Sequence, residues 1–246
     1  MKRRRGVLVA AACAVVLAGG ITAVVLANPA SGPLPTASAS ASAGPRALTT
    51  EESERLAVGR FLAYQDGSRT FRTEVSADGV VVQLEGRVDY RAGIGLASAR
   101  AGDESAVITW NGATFVGWAE ASVVDGIPVA APSEPGGARR LDPSASRVDT
   151  VLALLLSLGG DRPENAQLLQ QSDAAWLRAD EVDGVPVDVF AGPSDADTGE
   201  GAGTVRYWVD DRGAVHRIEA DLPSGGVVIE LGIEEHVPIA AAPELG

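Results

Sequence analysis

The chain holds a single cysteine, Cys13, and it lies inside an apolar run near the N-terminus. That excludes a disulfide within the chain and leaves no thiol nucleophile or cysteine metal ligand beyond residue 13. Lysine is as scarce: Lys2 is the only one, and the other 19 basic residues are arginine. Past the N-terminus there is no amine for a Schiff base or a phosphate-binding P-loop. Histidine occurs twice, at His216 and His236, so two imidazoles never fall at a zinc-ligand spacing, and no Gly-x-Ser-x-Gly elbow offers a serine for either to activate. Four Phe, four Trp and three Tyr leave little surface for stacking on sugars. Among 33 acids some pair always sits at a glycosidase distance, so paired carboxylates carry no signal here. These absences predict a protein that is not an enzyme and takes no cofactor and no metal.

Positive charge is also short. Once the four basic residues at positions 2–5 are set aside, 16 arginines face 33 acids, a net charge of −17. Such a surface repels phosphate backbones and anionic headgroups, which excludes nucleic acid as a partner. Solubility outside the cell is the simplest reading of the acidity.

What the chain does have is an N-terminal address. Lys2-Arg3-Arg4-Arg5 precedes 22 uncharged, mostly apolar residues, Gly6 to Ala27. As a helix that run would be about 33 Å long, enough to cross a bilayer core. The basic cluster would stay in the cytoplasm and place the rest outside it. Length favours a retained single-pass anchor at the cell membrane. The small residue closing Val25-Leu26-Ala27 leaves a cleaved signal peptide and secretion as the alternative. A lipoprotein signal would need Cys13 to be acylated, and Ala10-Ala11-Ala12-Cys13 is a poor lipobox. Arginine in place of lysine, with heavy Ala, Gly, Val, Asp and Pro usage, points to a high-GC bacterial genome.

The organisation expected is a basic cytoplasmic segment at 1–5, an anchor or signal at 6–27, and a Pro/Ala/Ser-rich tether at 28–47 with almost no large side chain. An exported domain follows at 48–237, then a tail at 238–246. Thr49 and Glu52 form a capping box for an amphipathic helix that ends near Asp66-Gly67. From Thr70 the period becomes two. Val82, Leu84, Val88 and Tyr90 share one face of a strand, and Gln83, Glu85, Arg87, Asp89 and Arg91 share the other, wet one. Asn111-Gly112 predicts a type I′ hairpin turn between Trp110 and Phe115. Val148–Leu158 is apolar nearly all round and stopped by Gly159-Gly160, which reads as a buried helix. A short helix is expected at Pro163–Gln171, followed by strands at 174–179, 185–190, 204–209, 214–222 and 227–233. His216 falls on the apolar face of its strand, where a core-edge residue with one hydrogen bond is expected, and His236 in a solvated segment. Asp195–Glu200 reads as a solvated loop rather than a calcium site. The fold class predicted is α+β: a curved antiparallel sheet, a half-barrel, with helices packed on its concave face, after an N-terminal transmembrane helix.

The closing run Tyr207-Trp208-Val209-Asp210-Asp211-Arg212-Gly213-Ala214-Val215-His216-Arg217-Ile218-Glu219-Ala220, the strand Gly86-Arg87-Val88-Asp89-Tyr90 and the order of elements resemble the LolA-like half-barrel. The nearest branch is the LppX/LprG-type actinobacterial lipoproteins. The resemblance implies that acyl chains or lipid-linked molecules are held between sheet and helices without catalytic residues, or that the domain is an envelope sensor. The chain departs from that pattern in lacking a well-placed lipobox.

The apolar excess of the 148–158 helix supplies a candidate cavity wall. Leu154, Leu155 and Leu158 would join the inward residues Val82, Leu84, Trp110, Trp176, Trp208 and Ile218 around a lipid or other apolar ligand. The function expected is thus a membrane-anchored envelope protein that binds an apolar ligand in a non-catalytic cavity. The alternative is an extracytoplasmic sensor or protein-interaction domain whose core is filled.

Overall fold

The computed structural model describes residues 44–77, 79–119, 126–194, 205–222, 225–233 and 235–245. They build one open, curved antiparallel sheet of twelve strands with three α-helices. In chain order these are β1 (Arg46–Ala47), α1 (Thr50–Asp66), β2 (Ser68–Ala77), β3 (Val80–Asp89), β4 (Ile94–Ala101), β5 (Glu104–Trp110), β6 (Thr114–Ala119) and β7 (Gly137–Arg140). There follow α2 (Arg147–Ser157), α3 (Ala166–Gln171), β8 (Ala175–Val182), β9 (Val185–Ala191), β10 (Val205–Val209), β11 (Val215–Leu222) and β12 (Gly225–Gly232).

Two meanders, β2 to β7 and β8 to β12, lie side by side, joined where β12 pairs with β2; β1 pairs with β8 at the far edge. The two-helix insertion between β7 and β8 follows the predicted order of elements.

Local chemistry explains the boundaries. Thr49 caps α1 through the Glu52 N–H, and the Glu52 carboxylate accepts from the Thr49 N–H, a reciprocal capping box. Ser146 caps α2, and Asn165 caps α3 three residues later than expected, so Pro163 stays outside that helix. Asp183 and Gly184 both take positive φ, 50° and 80°, as a two-residue I′ turn between β8 and β9 demands. Asn111-Gly112 does not do the same. Trp110 pairs with Phe115, and the Asn111 side chain accepts from the N–H groups of Ala113 and Thr114, so an Asx turn over four residues replaces the predicted type I′.

Strand alternation divides the core. On the helix-covered face Phe71, Val75, Leu84, Val88, Ile108, Trp110, Ile218 and Ile229 pack under Val151, Leu152 and Leu155 of α2. On the opposite face Leu96, Val107, Val116 and Trp118 are covered by Ile239, Ala242 and Leu245 from the C-terminal segment. That segment also explains Asp89, expected on a wet face yet buried: its carboxylate accepts from the N–H groups of Arg91, Ala92 and Ile239. His236, expected in solvent, is half-buried against Gly67.

The membrane expectation is corrected. Among the described residues no helix is long and apolar enough to cross a membrane, and the 6–27 run lies outside them. Among the described residues the fold class is therefore the sheet with its helices, without a transmembrane helix. Membrane partnership through an N-terminal helix and single-pass localisation fall with it. Residues 28–43 of the expected tether and the 195–200 loop also lie outside the described residues.

Candidate functional site

Nine side chains were expected to line one apolar cavity, and the structure places them in three settings. Leu84, Trp110, Leu155, Leu158 and Ile218 belong to the core between sheet and helices, with Val82 and Leu154 packed at its margin. Trp110 is completely buried. Its indole donates to the Leu152 carbonyl at 3.0 Å and meets the Phe71 ring edge-on at 6.1 Å. Gly95 makes room for it on β4, because a Cβ there would sit 2.1 Å from the indole ring. Trp176 belongs to a neighbouring cluster with Leu48, Ala174, Phe190 and Val209. The Arg46 guanidinium lies 4.6 Å over its ring, and its Nε1–H donates to Asp188 at 2.7 Å.

Trp208 faces the other way. It pairs with Arg217 while Tyr207 pairs with Ile218, so Trp208 and Ile218 occupy opposite faces. On that outer face Trp208 packs with Val182, Val187 and Val189, flanked by Arg178 and Arg217 at 5.6 and 5.8 Å, and donates to Asp180. The three inward tryptophans of the expected wall are thus one in the core, one in the neighbouring cluster and one on the outer face.

The interior itself is packed. Val151, Leu152 and Leu155 have no exposed surface, and Ala153, Leu154 and Leu156 pack against the same core. The cavity between α1, α2 and the sheet measures about 20 Å³ and is bordered by Ala63, Arg69, Tyr90, Leu158, Tyr207 and Ile218. A drug-sized apolar ligand needs roughly 300–1,000 Å³.

Open space lies on the outer face. A groove of about 540 Å³ crosses β12, β2, β3 and β4. Its walls carry Arg72, Glu74, Gln83, Glu85, Arg100 and Glu230. Arg72 is paired with Glu85 at 2.8 Å, Gln83 with Glu74 at 3.0 Å and Glu230 with Arg217 at 3.1 Å. Glu85 holds the Arg72 guanidinium above its ordinary range, first through the hydrogen bond and then through charge. The groove exists because the β12–β2 ladder stops at the Ile229–Thr73 pair, while both strands run on. Beyond that point Thr73 donates to the Val228 carbonyl, and the Arg147 guanidinium donates to the carbonyls of Gly225 and Gly226. Sequence reasoning missed this site. Alternation marks the polar face of each strand, but register alone decides where two strands part.

Neither surface assembles catalytic groups. His216 is half-buried, with Asp210 as its partner at 3.2 Å. Burial pushes the Asp210 carboxyl up, but hydrogen bonds from His216, the Ala214 N–H and the Arg212 N–H outweigh it and hold it below the usual carboxylate range. The pair ties the β10–β11 turn together, and no nucleophile adjoins it among these contacts. Among the described residues no group of three or more His, Cys, Asp or Glu could hold a metal ion.

No protein-family model matches the chain, and no curated protein does. Solved structures give weak likenesses. Lipoprotein LppX from Mycobacterium tuberculosis is 12% identical at a TM-score of 0.44, over 77% of this chain and 96% of that one. LprF from Mycobacterium bovis is 13% identical at 0.38, over 80% and 97%. A putative outer membrane lipoprotein-sorting protein domain from Vibrio parahaemolyticus is 10% identical at 0.28, over 74% and 88%. The similarity to the LppX type is structural, weak and spread over most of the chain.

Proposed function

We propose that the chain is an exported, non-catalytic protein-interaction or sensor domain with a filled core, and that the outer-face groove is its contact surface. The observation that carries this reading is the packed interior. Val151, Leu152 and Leu155 are completely buried against the sheet, and the cavity beside Leu158 measures about 20 Å³. A lipid carrier needs an apolar chamber of several hundred Å³.

The groove has the character of a protein contact. It mixes both signs of charge, so it favours a partner segment presenting complementary charges rather than an anionic surface. Its two walls are strands that run beyond their shared ladder, where backbone groups can take a further extended segment. The basic cluster at 2–5 and the apolar run after it supply an export signal that is removed after Ala27.

Native mass spectrometry of the purified chain, after exposure to envelope lipid extract, tests the filled core. An unchanged apo mass is the expected result, and a bound lipid mass would overturn it. Carboxylate-directed cross-linking in whole envelopes then tests the surface. Cross-links to a protein concentrated at Glu74, Glu85 and Glu230 support the groove, whereas cross-links spread evenly over the acidic surface reject it.

A further inference from the structure

The small internal cavity is chemically unlike the apolar core around it. Arg69 points from β2 toward α1 with its side chain only 2% exposed. One of its nitrogens, Nη2, pairs with Asp66 at 2.6 Å. Its Nε and Nη1 atoms are buried and have no hydrogen-bond partner among the described residues, and neither does the Tyr90 hydroxyl. Arg69 and Tyr90 border the same cavity of about 20 Å³, which is space for one particle of about water size. Buried donors left unpaired are costly, by roughly 1–3 kcal/mol each and more for a charged group, so such a place selects an occupant that accepts hydrogen bonds.

We infer that this cavity is a binding site for a single small monovalent anion of halide type, held by the Arg69 guanidinium and the Tyr90 hydroxyl between α1 and the sheet. The donor inventory decides between an anion and a water. Arginine offers only N–H groups, and the remaining bordering side chains offer acceptors only at the two tyrosine oxygens. A water would need both tyrosine oxygens to receive its two hydrogens while the Tyr90 hydroxyl is itself unpartnered as a donor, whereas a halide accepts from Arg69 and Tyr90 and has no hydrogen to place. Burial raises the Tyr90 phenol, with Arg69 opposing it more weakly, so the phenol stays protonated and remains a donor. The charged groups around the site are Arg69 and Arg60, with Asp66 on Arg69 and Glu164 on Arg60. Asp66 is in contact with Nη2 alone and is 41% exposed, and Glu164 is 40% exposed and paired to Arg60. The Nε and Nη1 edge of the buried guanidinium is thus the part left without an acceptor. A bound halide would join β2 to the turn that follows β3 through one ion, whether or not the outer groove binds a protein.

The test uses the full chain in sodium bromide, sodium chloride and sodium sulfate at equal ionic strength. Bromide and chloride should raise the thermal unfolding midpoint with a saturable component, whereas sulfate, too large for the cavity, should act only through its non-saturating general effect. Crystals grown in bromide should show an anomalous peak between Arg69 and Tyr90. Tyr90→Phe keeps the ring and removes one donor, so it should need about tenfold more halide for half the effect. No saturable component in bromide or chloride, or a bromide-grown crystal with no anomalous peak in the cavity, would overturn the assignment. If Tyr90→Phe does not fold, the anomalous measurement on the unaltered chain still decides.

Discussion

Single residues fix the edge of the sheet where the described chain begins. The Glu52 carboxylate takes two hydrogen bonds from Arg46, at 2.7 and 2.6 Å, and a third from the Thr49 N–H. The bond from Arg46 is the main reason its carboxyl falls to about 2, against a smaller opposing effect of burial. Arg46 in turn lies over Trp176, so one carboxylate joins β1, the start of α1 and β8. The folded-state pKa is depressed below the unfolded one. The stability this group contributes is therefore present above about pH 4.5 and is lost as pH falls toward 2. Urea midpoints measured from pH 6 to pH 2 should fall through that window. In Glu52→Gln the part of the fall due to this residue should disappear, and at pH 6 the variant should be less stable by about 1–2 kcal/mol. Equal pH profiles for the two proteins would show that Arg46 and Glu52 do not hold this edge together in solution.

At the scale of elements, α2 decides between a chamber and a core. Ser146 caps it, and Arg139 reaches from β7 with two hydrogen bonds to Asp149, whose side chain has no exposed surface. Asp149 sits in the first turn, where the helix dipole favours a negative charge, so the helix is pinned in one orientation over the sheet. Leu155 faces inward and is completely buried. Leu155→Trp adds volume where none is free, so it should destabilise by about 1–3 kcal/mol, read as a lower urea midpoint with an unchanged slope. A variant as stable as the parent would mean that α2 covers unfilled space. The capping box and the end of α2 ahead of Gly159-Gly160 were legible in the sequence because each depends on residues within four positions of one another. The Asn111-Gly112 turn was misread because the Asn111 side chain competes with the backbone for the same N–H groups. Trp208 stands in the run Tyr207-Trp208-Val209, where neighbouring large apolar residues fall on opposite faces, and its pairing with Arg217 assigns it to the outer one.

For the whole molecule, the sheet is apolar on both faces at its β4–β6 end, and the C-terminal segment makes that possible. Ile239, Ala242 and Leu245 cover Leu96, Val107, Val116 and Trp118, and the Leu245 carbonyl accepts from Asn111 while the Glu244 carboxylate accepts from the Gly136 N–H. None of this was legible in the sequence. Three apolar residues in a Pro- and Ala-rich stretch carry no period, and most of their partners lie more than 120 positions away. For the same reason a two-sided core could not be told from the one-sided sheet that the 82–91 strand suggested. Deleting 238–246 should expose that face. Burying Ile239 and Leu245 is worth about 1.5–3 kcal/mol each at most, and ordering the segment offsets part of it, so a net loss of about 2–4 kcal/mol is expected. Trp118 would lose its cover, so its emission should shift to the red, and the uncovered apolar patch should make the truncated chain self-associate in light scattering. An unchanged midpoint and emission maximum would mean that the segment lies on the sheet without stabilising it. The outer groove lies on this same face, so the deletion also separates two possible contact surfaces. If the truncated chain keeps the cross-links at Glu74, Glu85 and Glu230, the groove recognises its partner without help from the C-terminal cover.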